Sequence, residues 1–155
     1  NARVGIDDFV RKTIPKIDAV ELPKPDMKIS KGEPLFSVRH GSYVIAIASP
    51  ISGKVTVLNK EHAEHPEWIA SKPFELSWMC CIEPSNLPEE LPSLKIGADT
   101  INWYRGEIDR HSEIVKKAEQ ENQKLAAAGK SDDKAGKQNI DDKFLEEYAR
   151  TFLQK

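Results

Sequence analysis

The sequence predicts a mainly β domain followed by a helical C-terminal extension. All ten prolines lie within the first 92 residues, between stretches rich in β-branched residues, which is typical of short strands joined by turns. From Ala98 onward, apolar residues recur at alternating spacings of three and four, which indicates a helix. We therefore predict a β domain over residues 3–97 and a helical extension over residues 98–155, with a flexible linker near 126–140.

The first predicted strand leads into a short helix. Residues 4–6 form the end of that strand, and either Asp7 or Asp8 can supply the N-cap of the helix. Pro15 ends the helix because proline cannot donate the backbone hydrogen bond that a helix interior requires.

The next strand, residues 17–22, alternates in polarity. A continuous strand would place Ile17, Ala19 and Glu21 on one face. Later strands are predicted at residues 51–59 and 74–84, which completes a small, turn-rich β domain.

A hairpin is predicted at the centre of the β domain. Residues 34–39 enter it, His40, Gly41 and Ser42 form its turn, and residues 43–50 leave it. The glycine favours this interpretation because a tight hairpin turn requires a positive φ, which glycine adopts without steric cost.

The long helix of the extension carries an apolar stripe at heptad positions, interrupted by weaker residues such as His111 and Ala118. The apolar members of this packing stripe are Ile101, Tyr104, Ile108, Val115 and Leu125. We interpret the stripe as a face that packs along the protein's own body or a partner. Self-association as a coiled coil is the alternative. A last short helix, capped by Asp141 or Asp142, is predicted after the linker.

Composition excludes several classes of function. The net charge is −2, and it is spread evenly, with 12 basic and 13 acidic residues before Ala98 and 11 and 12 from there on. That distribution leaves no basic stripe for nucleic acid. No segment reaches the roughly 18 consecutive apolar residues that a membrane-spanning helix needs. The adjacent Cys80 and Cys81 are predicted to be small buried residues of a strand, and a reducing cytoplasm is the expected location.

Three segments resemble the glycine cleavage system H-protein family. They are "RVGIDDFVRKTIPKIDAVELPKPDMKISKGEPL", "SPISGKV" and "HPEWIASKPFELSW", in order and with similar spacing over residues 3–86. The resemblance implies a lipoyl-like barrel-sandwich hybrid fold. It also implies a carrier that holds an intermediate on a lipoyl arm attached to a hairpin lysine.

The hairpin departs from the family's pattern where the arm is attached. Counting back from Pro50, the family's lysine position falls on Ser42, and the chain has no lysine between Arg39 and Ser49. A serine hydroxyl does not replace the lysine amine to which lipoate is joined by an amide bond. We therefore expect no cofactor.

The expected function is that of a non-lipoylated, H-protein-like scaffold or protein-binding subunit that is not an enzyme. Its protein partner is not identified by the sequence. The predicted contact tip consists of Arg39, His40, Gly41, Ser42 and Tyr43. The alternative is a lipoyl carrier modified on another lysine, with Lys54 ahead of Lys31.

Other motifs give weaker signals. His62 and His65 have the spacing of metal ligands, but a charged, exposed loop without metal is the favoured interpretation. His40 and Ser42 lack the third orienting group that a serine nucleophile requires. Tryptophans 68, 78 and 103 are expected to be core or helix-docking anchors. No catalytic or metal site is predicted.

Overall fold

The computed structural model describes residues 1–8, 10, 14, 16–71 and 77–127, except for the side chains of residues 70, 122 and 125–127. The chain divides into two compact units, with the boundary between Leu94 and Lys95. The predicted extents of the two domains, 3–97 and 98–155, stay predictions. The last predicted helix and the predicted linker beyond residue 127 lie outside the described residues.

The first unit is built on two antiparallel sheets. Its strands are β1 (Ala2–Gly5), β2 (Ala19–Glu21), β3 (Lys28–Ile29), β4 (Pro34–His40), β5 (Tyr43–Ala48), β6 (Gly53–Leu58) and β7 (Trp78–Pro84). One sheet has the order β1-β7-β6-β3, and the other has the order β2-β4-β5. The mainly β prediction is confirmed. Among the described residues the two sheets share no strand and do not close into a barrel.

The core follows from strand alternation. Val20, Val38 and Ile45 lie opposite one another across the three-stranded sheet, and all three are buried. β7 is buried on both faces, and its Cys80 and Cys81 are free thiols inside the domain, as predicted. Burial raises the pKa of the Cys80 thiol to about 11, with the neighbouring Cys81 adding to the shift, so the thiol stays protonated and unreactive at neutral pH.

The predicted register of β2 is wrong. The strand covers only residues 19–21, and Val20 rather than Ala19 or Glu21 points into the core. Ile17 is buried, but it lies in an irregular segment before the strand begins. The alternation of side chains therefore restarts at Ala19 instead of continuing from Ile17.

Helical segments connect the strands of the first unit. The Val10 amide donates to Oδ1 of Asp7 over 2.8 Å, which is the bond expected of an N-cap, and the Ile14 amide donates to the Val10 carbonyl. Further along lie α1 (Glu61–Glu64), α2 (Trp68–Ser71) and α3 (Leu87–Glu90), followed by a 3₁₀ turn over Leu91–Ser93.

The described part of the second unit is the long helix α4 (Ala98–Ala127) and the residues just before it. Among the described side chains of α4, Glu107 and Ile114 are buried, and Oε1 of Glu107 lies 2.9 Å from Nη1 of Arg110. Two residues of the predicted packing stripe are instead exposed, Ile101 by 58% and Ile108 by 50%. The buried positions 107 and 114 therefore each lie one residue before a position of the predicted packing stripe, 108 and 115.

The other stripe residues have different surroundings. Tyr104 and Val115 are half-buried, whereas the Leu125 side chain lies outside the described residues. A role for the stripe between chains stays a prediction. Trp103 is 38% exposed, so it is not a core residue, and a role as a helix-docking anchor stays a prediction. Its ring meets that of Tyr104 edge-on at 4.9 Å. None of the described helices combines the length and apolar character needed to cross a bilayer.

Candidate functional site at the hairpin tip

The β4–β5 hairpin ends in a two-residue turn. The last pair of opposed residues is His40 and Tyr43, so the turn itself consists of Gly41 and Ser42. Gly41 has φ +57°. Asp26 is the one described residue other than glycine with a positive φ, so the φ of Ser42 is negative. A positive φ at the first turn position alone is the signature of a type II′ turn, whose twist matches that of the flanking strands. The predicted three-residue turn is therefore one residue too long.

Asp18 and Lys16 fasten this turn from the segment before β2. The Gly41 amide donates to Oδ2 of Asp18 over 2.8 Å, and Nζ of Lys16 lies 2.8 Å from Oδ1 of the same carboxylate. The hydrogen bond from the Gly41 amide and the contact with Lys16 together hold the pKa of Asp18 below its usual value. Asp18 in turn raises the pKa of Lys16. Both carboxylate oxygens are thus engaged.

His40 adds a third connection to the same segment. Its Nδ1 lies 2.7 Å from the Lys16 carbonyl oxygen. A carbonyl oxygen only accepts, so Nδ1 must carry the proton and donate. This hydrogen bond ties the tip histidine to the segment before β2 and helps to fix the turn.

Above the turn, the outer face of the three-stranded sheet presents one exposed row. Ala19, Arg39 and Val44 are directly opposed on the three strands and therefore project to the same side. Val44 is 64% exposed, and Arg39 is exposed as well. Within the part of the chain that the structure describes, the Arg39 side chain has neither an ion pair nor a hydrogen bond.

The hairpin thus brings together the five residues predicted as a contact tip, Arg39 through Tyr43. Whether they make contacts in the cell stays a prediction. Asp18 and Lys16 were missed, because nothing in their local sequence marks them as neighbours of a turn more than 20 residues away. The pairing of β2 with β4 brings them there.

The tip does not fit a lipoyl group. Ser42 offers a hydroxyl at the turn, where the attachment of lipoate requires an amine. Lys54 lies on the other sheet, with Nζ 2.6 Å from Oδ1 of Asp26. Lys31 lies in the turn before β4, and its Nζ contacts the Ser93 hydroxyl. Among the described lysines, Lys16 contacts the tip through its carbonyl and through Asp18.

The histidine pair does not form the exposed loop that the sequence predicts. His62 is buried within α1, which lies against β2, so that prediction is wrong for His62. His65 remains half-exposed; its ring stacks on Trp68 at 4.3 Å, and its Nδ1 lies 3.2 Å from Oε1 of Glu67. Among the described residues, no group of three or more His, Cys, Asp and Glu side chains is arranged to hold a metal ion.

A second polar cluster lies at the start of β6. Glu90 accepts from the Ser52 amide over 2.8 Å and from the Ser52 hydroxyl over 2.5 Å. The Lys31 amide donates to the same hydroxyl over 2.9 Å. These hydrogen bonds tie α3 to the body of the first unit, and those from Ser52 lower the pKa of Glu90. The polar groups of this cluster hydrogen-bond to one another, and the cluster holds a connecting segment in place.

Comparisons with known proteins agree with the fold and with the sequence motifs. The family model described as glycine cleavage H-protein matches residues 1–103. The glycine cleavage system H protein of Anoxybacillus flavithermus is 39% identical over 87 residues, which cover 56% of this chain and 68% of that protein. The probable glycine cleavage system H protein of Pyrococcus furiosus is 38% identical over 91 residues, 59% of this chain and 67% of that protein.

A solved structure leads to the same family. The crystal structure of a glycine cleavage system H protein from Mycobacterium marinum superposes with a TM-score of 0.51 at 26% sequence identity. The match covers 54% of this chain and 65% of that one. The sheets, the hairpin and the sequence relatives support one assignment, and the chain belongs to the glycine cleavage H-protein family.

Proposed function

We propose that this protein is a non-lipoylated member of its family that works by protein contact through the β4–β5 hairpin tip. The observation that carries the proposal is the turn itself, where Gly41 and Ser42 stand and no lysine lies between residues 39 and 49. Asp18, Lys16 and His40 hold that turn in one shape. A fixed turn that cannot accept the arm is suited to recognition.

The proposal assigns no chemistry to the chain itself. Neither Ser42 at the tip nor Ser52 before β6 has the surroundings of a nucleophilic serine. Among the described residues, the Ser42 hydroxyl makes no hydrogen bond to His40 or to any other base, and Nδ1 of His40 bonds to the Lys16 carbonyl instead. Ser52 donates to a carboxylate that is fixed to its own amide. We propose a scaffold or docking subunit, located in the cytoplasm in view of the two free buried thiols.

The first test is the intact mass of the protein purified from its native cell. The expected mass is that of the unmodified chain. A mass increase matching lipoyl, mapped to any lysine by peptide sequencing, would contradict the proposal.

Docking itself is tested by placing a photo-crosslinking amino acid at position 42 and, as a matched control, at Ser85. Both serines are exposed, but Ser85 lies just beyond β7 in the other sheet. We expect a discrete crosslinked protein from position 42 in the native cell and none from position 85. Equal crosslinking from both positions, or none from either, would count against the tip.

One observation favours a second function, that of a lipoyl carrier modified on another lysine. Lys16 is 76% exposed at its side chain and contacts the tip, which places an amine near the position where the family attaches its arm. The ion pair with Asp18 opposes this function, because a raised pKa leaves less of the neutral amine that attacks an acyl group. If the native protein gains mass, Lys16→Arg is expected to abolish the gain and Lys54→Arg to leave it.

A further inference from the structure

The carboxylate nearest to the hairpin turn is already paired, and this decides which kind of group the tip can bind. Asp18 is the carboxylate that touches the turn, and both of its oxygens are already engaged, one by Gly41 and one by Lys16. The Arg39 guanidinium, with five N–H donors and no acceptor, is the cation of this face that has neither an ion pair nor a hydrogen bond among the described residues.

Glu21, a carboxylate on the same face of the sheet, limits the directions from which an anionic partner can approach Arg39. Glu21 is opposed to Ser37, one outward row further from the turn than Arg39, and its Oε2 accepts from the Ser37 hydroxyl over 3.3 Å. An anionic group that approached from that side would be repelled by Glu21. An anion that approaches from the turn side meets the exposed Arg39 side chain before it meets Glu21.

Apolar surface lies directly beside the guanidinium. Val44 is opposed to Arg39 on β5 and is 64% exposed, and Ala19 flanks Arg39 on β2. A planar guanidinium next to an exposed aliphatic side chain matches a protein segment that presents a carboxylate beside an apolar residue. Because Ala19, Arg39 and Val44 are directly opposed on neighbouring strands, a segment that binds the guanidinium can contact Val44 as well.

We infer that the hairpin tip docks an acidic segment of a protein partner, with Arg39 as the carboxylate-binding residue and Val44 as its apolar contact. This inference rests on the proposed function and names the class of partner. The chain as a whole carries a net charge of −2, so attraction of an acidic partner must come from this local arrangement and not from the overall charge.

The experiment is an NMR titration of the full-length protein with a hexaglutamate peptide at low and at physiological salt. We expect amide shifts concentrated at residues 39–44, reduced by salt. Binding to Arg39→Glu should be weaker by about three- to tenfold, and Arg39→Gln should show a smaller loss. Lys28→Glu on β3 is the matched control, because it reverses an exposed lysine on the other sheet and should bind like the wild type.

Three outcomes would overturn the inference. The first is a set of amide shifts spread evenly over the surface. The second is an unchanged affinity in an Arg39→Glu variant that melts like the wild type. The third is tighter binding of a single-stranded DNA hexamer than of the peptide. If photo-crosslinking at position 42 captures a partner while the peptide fails to discriminate, docking at the tip stands and the acidic class of partner falls. If crosslinking also fails, the proposed function falls with it.

Discussion

The carboxylate of Asp18 joins two segments that are 23 positions apart in the sequence, because it accepts the Gly41 amide and faces the Lys16 ammonium. Its pKa is lowered chiefly by the hydrogen bond from the Gly41 amide and next by the contact with Lys16. A lowered folded-state pKa means that the charged carboxylate adds stability above the unfolded pKa of about 4. That contribution is lost as the pH falls through the lower pKa of the folded state.

Replacing Asp18 by Asn tests this linkage. We expect a lower melting temperature than the wild type at pH 7. The difference should shrink as the pH falls from about 4, where the unfolded carboxylate takes up its proton, through the lower pKa of the folded carboxylate, below which both states are protonated. Thermal melts followed by circular dichroism between neutral and acid pH measure it. Asp109→Asn, at an exposed position on α4, serves as the control and should track the wild type. A deficit of Asp18→Asn that is the same at every pH would show that the charge is not involved.

Gly53 is required by close backbone contact and not by its φ angle. A Cβ at this position would lie 2.2 Å from the Glu83 carbonyl oxygen and 2.6 Å from Cγ2 of Ile82. β6 and β7 would have to separate at their first pair to admit a methyl group. The glycine therefore allows the central pair of the four-stranded sheet to form.

Gly53→Ala should lower the free energy of unfolding by about 1–3 kcal/mol, the usual range for overpacking. Gly106→Ala on α4 is the opposite case, since a Cβ there meets nothing within 4 Å and alanine favours a helix by up to about 1 kcal/mol. Urea denaturation followed by circular dichroism gives both values. Equal effects of the two substitutions would contradict the role of the β6–β7 contact.

The elements differ in how far their sequences determine them. The β4–β5 hairpin follows from local signals, because alternation fixes its strands and Gly41 fixes its turn. β2 does not, because its burial is set by pairing with β4 and not by its own continuous pattern. Heptad counting on α4 identified the helix, but it selected a line of residues next to the buried one, because polar Glu107 occupies a buried position that an apolar count passes over.

Ile108 and Ile114 distinguish the two lines on α4. Ile114→Asp places a charge at a buried position, so we expect a loss of helical signal or a fall in stability of several kcal/mol, about 3 or more. Ile108→Asp substitutes a side chain that is half exposed and should leave the melting curve unchanged within about 0.5 kcal/mol.

Sedimentation velocity on the same variants tests the predicted packing stripe between chains. If the wild type self-associates through Ile101 and Ile108, Ile108→Asp should make it monomeric while its fold persists. A wild type that is monomeric at every concentration would exclude self-association through this stripe. Lower stability in Ile108→Asp would place this residue in a folded core.

At the scale of the whole molecule, the burial of apolar side chains is uneven. Among the described residues, Ile114 is the one buried apolar side chain outside the first unit, and all the others lie between Val4 and Ile82. Both sheets are complete within the first unit as well. The end of the prolines and the change of period predict a division of the chain at residue 97, and its extents stay predictions. The sequence did not anticipate that Ser52 and Glu90 would fasten the connecting segment, because that contact joins residues 38 positions apart.

Truncation after Gly97 tests whether the first unit folds on its own. Among the described residues, all the buried apolar side chains except Ile114 lie before Gly97. We therefore expect the fragment to melt cooperatively and to retain the near-ultraviolet signal of Trp78. Its urea m-value should be smaller than that of the full chain, in line with the smaller surface that unfolds. The variant Glu90→Gln in the same fragment, compared with Glu89→Gln as its neighbour, then shows how much the Ser52 contact stabilises the unit. A fragment that fails to melt cooperatively would mean that residues beyond Gly97 complete the β domain, and the predicted domain of residues 3–97 would have to be extended.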